Sequence, residues 1–236
     1  MKRILGSLIV SGMLSFQCFA TSYSDLFNDP NWVFNDDFSA YSQNGCHLDG
    51  FSFGPWNVNF ASQGCVQPQT YDSAPVLYLA PAASTSPTVT HSALVTGPSF
   101  SGDIVFEANV FTNSQLRQGS VPNSWEVGWL IWDYTDNKHF YYFILKPNGW
   151  ELGKVDPSFP GGQGYLQTGD APLFPIQNEY LVRIVQQASQ ISIFENDTLL
   201  VQFKDTKKPF SAGKIGLYTE DSSVYFSNVR VGILAP

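Results

Sequence analysis

SWEVGWLIWDYTDNKHFYYFILKPNGWELGKVD, residues 124–156, is an aromatic ribbon that holds four of the six Trp and three Tyr of the chain. Its apolar residues form three runs separated by turn-rich breaks at residues 133–138 and 147–149, a pattern that predicts three successive antiparallel strands. In the first run, Trp125, Val127, Trp129 and Ile131 fall on one face at period two, and Glu126, Gly128, Leu130 and Trp132 on the other. In the second, His139, Tyr141, Phe143 and Leu145 oppose Phe140, Tyr142, Ile144 and Lys146. Neither face is polar. The sheet is therefore expected to be covered on both sides, by a second sheet on one and by loops or a ligand on the other.

Outward from the ribbon, the remaining pattern is also β. The spacing predicts a first strand at residues 33–38, a glycine-rich, loop-dominated segment at 40–69, and short strands at 76–79 and 89–94. A clean alternation follows at residues 104–111, then the ribbon, then a segment at 157–175 so dense in Pro and Gly that a long loop is expected there. Five strands joined by short connections complete the chain, at residues 180–186, 190–195, 199–204, 213–219 and 224–231. No amphipathic helix and no repeat interrupts the pattern. The fold class is an all-β, two-sheet antiparallel sandwich of jelly-roll type, occupying residues 21–236 as one domain.

Residues 1–20 are read separately. Lys2 and Arg3 precede an apolar run at residues 4–16, and Cys18 and Ala20 stand where a signal peptidase expects small residues, so a secretory signal of bacterial type is predicted. The apolar run is too short and too broken for a membrane span. The protein is expected to be secreted or periplasmic. Cleavage would deepen the net charge from −8 to about −10, and such an acidic chain repels phosphate backbones, which argues against nucleic acid as a partner. It would also leave two cysteines, Cys46 and Cys65, bound for an oxidising compartment and expected to form a disulfide.

Three segments carry a resemblance to a known superfamily: GWLIWDYTDNKHFYYFILKPNGWELGKVD, YLVRIVQQASQISIFENDTLLVQF and the closing PFSAGKIGLYTEDSSVYFSNVRV. Together they resemble the concanavalin A-like lectin/glucanase superfamily, nearest the laminin G-like and 3-keto-disaccharide hydrolase group. The resemblance implies two stacked sheets, one of them concave and carrying carbohydrate. It also suggests a structural calcium near Asp37 and the backbone of Asn228. The chain departs from the family's enzymes: it has no Glu-x-Asp-x-x-Glu strand, and it carries Trp132 where the hydrolase-like group often carries Arg.

Candidate residues follow from sugar chemistry, which asks for flat rings under apolar C–H faces and a few polar groups for the hydroxyls. Trp132, Tyr142, Trp150 and Trp56 are the candidate platforms, with Asp133, Asn148 and Lys154 as polar partners. Glycoside hydrolysis instead needs two carboxyls on one face, and Glu126 and Glu151, on the outer strands of the ribbon, are the candidates. Asp133 and Asp136 crowd one turn with Asn137, an oxygen set of the kind calcium takes, although Asp and Asn also simply favour turns. The expected partner is thus a poly- or oligosaccharide held by a lectin-like domain. A glycan-cleaving or glycan-modifying enzyme and a surface adhesin remain as alternatives.

Overall fold

The computed structural model describes residues 30–41 and 45–234, so the expected leader at residues 1–20 lies outside the described residues. Its strands, numbered in chain order, make two eight-stranded antiparallel sheets. The first runs β14 (Thr198–Lys204), β13 (Gln190–Glu195), β12 (Glu179–Gln187), β7 (Ile104–Gln115), β16 (Ser222–Ile233), β5 (Ala74–Ala80) and β4 (Cys65–Tyr71). Within it, β1 (Asn31–Asp36) pairs with the last residues of β16. The second runs β11 (Gln163–Gly169), β10 (Gly149–Val155), β9 (His139–Lys146), β8 (Gly128–Asp136), β15 (Ala212–Glu220), β6 (Ser92–Ser101), β3 (Trp56–Phe60) and β2 (Ser52–Phe53). The expected two-sheet sandwich is what the chain forms, and the ribbon supplies β8, β9 and β10 as neighbours.

Period-two alternation decides what each strand buries. Leu130, Trp132, Tyr141, Phe143, Trp150 and Leu152 of the second sheet point at the first and meet Phe106, Ile184, Ile193 and Phe226 in the core. Each such side chain, taken fully out of water, contributes roughly 1.5–3 kcal/mol. A second, smaller cluster lies on the opposite face of the same sheet, where Trp129, Ile131, Tyr134, Tyr142 and Ile144 pack together. Both faces of the ribbon are thus apolar, as its sequence requires, but only one has a sheet over it.

Two segments depart from expectation. Residues 40–69 contain β2, β3 and the start of β4, because the glycines fall in the turns while Trp56 and Val58 keep a core-facing alternation between them. Residues 157–175 contain β11, a strand that pairs with β10 at the sheet edge. There Pro160 and Pro172 flank the strand and do not interrupt it, and an edge strand needs partners on one side only. Cys46 and Cys65 are bonded to each other, as expected, and tie the loop before β2 to the start of β4.

Candidate functional site

The open side of the second sheet holds a cavity of about 260 Å³, lined by Phe60, Leu94, Trp129, Phe140, Tyr218 and Glu220 among others. Strand register explains the grouping. Phe60 of β3, Leu94 of β6, Tyr218 of β15, Trp129 of β8, Ile144 of β9 and Glu151 of β10 are successive cross-strand partners, so their side chains share one face. Trp129 packs between Tyr142 (4.7 Å between centroids) and Tyr218 (5.2 Å, edge-on), and Phe60 meets Tyr218 edge-on.

A bulge completes this aromatic floor. Strict alternation would send Tyr134 into the core with Trp132, yet the pairing of β8 shifts between Trp132 and Asp136, and Asp133 adopts φ 51°. The extra residue turns Tyr134 onto the face of Trp129 and Ile131. Gly213 makes the bulge possible, since a Cβ there would lie 2.2 Å from the Asp133 backbone. Gly153 has a similar part on β10: its missing Cβ leaves room for the Tyr142 ring, which passes within 2.0 Å of where that atom would be.

Two polar chains flank the rings. On one side Thr96 donates to Asn59 (2.8 Å), Asn59 to the Tyr134 hydroxyl (3.4 Å), and that hydroxyl to Asn137 (2.7 Å). On the other, Gln163 donates to the Tyr142 hydroxyl (2.6 Å), which donates to Glu151 (2.8 Å), itself held by Lys146 (2.9 Å). At a third corner the Tyr218 hydroxyl donates to Glu220, and the Trp125 indole also reaches that carboxyl. Burial, together with the charges of Asp221 and Glu126, pushes the Glu220 carboxyl up from its ordinary value. Trp125, 43 % exposed, is the solvent-facing indole beside this corner.

Of the residues singled out from the sequence, none lines the cavity: Tyr142 is fully buried beside Trp129 on the same face of the sheet, Glu151 is bonded to the Tyr142 hydroxyl, and the remainder lie elsewhere. Trp132, Trp56 and Trp150 are core residues, the first two essentially sealed. Their rings lie in the core between the two sheets, not on the cavity face, and their indole N–H groups bond to Gln186, to Asp36 (2.8 Å) and to the Ala171 carbonyl (3.1 Å) respectively. Lys154 points inward to Asp205 (2.9 Å) and to the carbonyls of Lys207 and Lys208. Asp133 is buried on the Gln186 amide (2.9 Å). Asn148 sits exposed in the turn between β9 and β10.

Glu126 was expected on the first strand of the ribbon. It precedes β8 instead and is wholly buried against Arg117 and Asn123, with its Oε2 left without a hydrogen-bond partner. Asp37, Asp133 and Asp136 do not converge. Asp37 caps Ser39, Asp136 holds Lys138 N–H and His139, and Asp133 is inside; among the described residues no three His, Cys, Asp or Glu side chains group as metal ligands would. Sequence reasoning missed Trp129, Tyr218, Phe60, Phe140 and Glu220. The face shared by Trp129 and Ile131 was legible from period two, but which face stays open depends on where the other sheet packs.

No protein-family model and no curated protein matches this sequence. Solved structures do match. The chain is similar to a carbohydrate binding module, CBM66, from Bacillus subtilis, at 16% identity and TM-score 0.55, over 79% of this chain and 97% of that one. It is also similar to a Bacillus subtilis protein of galectin-like fold, at 10% identity and TM-score 0.55, over 86% and 96% of the two chains. A third match is a Bacteroides ovatus GH16 protein in complex with G4G4G3G product, at 9% identity and TM-score 0.53, over 84% and 99%. Identities this low show a shared fold and nothing narrower. The chain is a two-sheet antiparallel β-sandwich, the fold that it shares with these structures.

Proposed function

We propose that this chain is a secreted, lectin-like carbohydrate-binding domain whose ligand lies on the aromatic floor formed by Trp129, Tyr218, Phe60 and Phe140. The observation that carries the reading is the open, ring-lined cavity with hydroxyl-reading groups at its margins, Asn137, Gln163 and Glu220. Stacking on rings supplies affinity, and fixed amide and hydroxyl groups supply orientation. Neighbours of the same fold include a carbohydrate binding module, which supports the reading by analogy. The bonded Cys46–Cys65 pair suits an oxidising compartment.

Hydrolysis in the manner of the 3-keto-disaccharide hydrolases is the second reading considered, and the carboxyls disfavour it. Glu126 is sealed on Arg117, which leaves Glu151 and Glu220 as the acids beside the floor. Those two are on β10 and β15 with β9 and β8 between, so three strand spacings, about 14 Å, separate them sideways, well beyond the roughly 5–9.5 Å that hydrolytic pairs use.

Trp125→Ala and Tyr218→Ala test the binding reading by affinity electrophoresis through neutral polysaccharides. Trp125 is half-exposed, so its loss spares the core. Each variant is expected to weaken retention about tenfold, the scale of one lost ring contact. Retention unchanged in both would remove the site from this face.

A further inference from the structure

If the aromatic floor takes a sugar, the charges around it select which class. Among the described residues that line the cavity, Glu220 is the one charged side chain, and no Lys, Arg or His accompanies it. The cations nearby are already committed. Arg117 stands behind Glu220 with its donors spent on Glu126, on Asp221 (2.7 Å), on the carbonyls of Ser86 (2.8 Å) and Val89 (3.0 Å), and on Thr90. At that corner one guanidinium pairs with two carboxyls, Glu126 and Asp221, and the Glu220 carboxyl stands beside them as a third. Lys146 is held by Glu151, and Lys154 is buried on Asp205. Lys138 and Lys214 are exposed at the opposite end of β8 and β15 from Glu220, in contact with water.

We propose that the groove is selective for uncharged glycans, with Glu220 as the residue that rejects uronic, sialic and sulfated sugars. This rests on the carbohydrate reading of the groove and adds the class of ligand. A carboxylate or sulfate brought beside Glu220 would be desolvated next to a like charge with no cation free to meet it, a repulsive arrangement that discriminates by several-fold to many-fold in affinity. A neutral pyranose meets no such penalty, since the Glu220 carboxyl and the Tyr218 hydroxyl serve it as hydrogen-bonding groups. Burial first, and then the neighbouring Asp221 and Glu126 charges, push the Glu220 carboxyl up from its ordinary value, the direction expected of a carboxyl with no cation bonded to it.

The test is retention of the intact protein in gels containing β-glucan, galactan, mannan or xylan, against alginate, pectate or chondroitin sulfate, at about 150 mM salt so that non-specific charge effects are screened. Retention by at least one neutral polymer, at least about tenfold stronger than by any acidic one, is expected. The Glu220→Gln variant should narrow that ratio about fivefold or more, and Glu220→Lys should narrow it further. Acidic polymers retained as strongly as neutral ones, with retention lost in Tyr218→Ala, would overturn the charge selectivity while leaving the groove as the site. A ratio unmoved by either Glu220 variant would overturn Glu220 as the selector. Failure to retain any polymer would overturn the carbohydrate reading itself, and this inference with it.

Discussion

Asp133 shows how much one residue can carry. Its position in a bulge at φ 51° suits Asp or Asn, and its carboxylate is buried against a single amide donor from Gln186. Burial raises its pKa from 3.8 to about 6, only partly offset by that hydrogen bond. The folded state thus holds the proton more tightly than the unfolded chain does. Stability from this group is full below about pH 4 and is lost as pH rises through 6. Asp133→Asn keeps an acceptor for Gln186 and the bulge, and removes the charge. Thermal melts from pH 4 to 8 should show the variant gaining on the parent with rising pH, by roughly 2 kcal/mol at pH 8, and a parallel pair of curves would refute it.

Glu126 is a second residue whose meaning changed with its surroundings. As a candidate acid it needs a route to substrate; as a partner of Arg117 it needs none. Arg117→Met would leave Glu126 and Asp221 buried without their cation, and should cost about 3–5 kcal/mol by denaturant unfolding. A cost below about 1 kcal/mol would mean that the pair is solvated in solution.

At the scale of elements, β10 deserves its glycine. Gly153→Ala puts a methyl where the Tyr142 ring lies, so either the ring or the strand must move. Overpacking of this kind costs about 1–3 kcal/mol, and displacement of Tyr142 would also break its bonds with Glu151 and Gln163. Both a lower melting temperature and weaker glycan retention are expected. A loss of stability with retention intact would separate Tyr142 from the binding surface. The Cys46–Cys65 bridge acts on a different element, the segment before β4. Its loop, with a sequence separation of 19, predicts a loss of roughly 3 kcal/mol when both cysteines become Ser.

For the whole molecule, binding must appear as stability. A ligand that occupies the groove of the folded chain alone stabilises it by about 2.7 kcal/mol at a hundred times its dissociation constant. A neutral oligosaccharide that raises the melting temperature of the parent but not of Tyr218→Ala would place the ligand on the second sheet. An equal rise in both would place it elsewhere. No helix among the described residues is long and apolar enough to cross a membrane.

The sequence by itself determined the class of fold, the adjacency of β8, β9 and β10, and the two-faced character of that ribbon, because period two is a property of the strand backbone and survives any packing. It also pointed to the Cys46–Cys65 bond. Which face of the ribbon would be open was decided by tertiary structure. The first sheet covers Trp132, Tyr141 and Trp150 and leaves Trp129 and Tyr142 on the side of the cavity, and two apolar faces look alike until one of them is covered. The bulge that brings Tyr134 across, and the approach of Tyr218 and Glu220 from nearly ninety residues away in the chain, arise only when β15 pairs with β8. Local sequence sets how a strand alternates; contacts between distant strands set which half of that alternation meets the ligand.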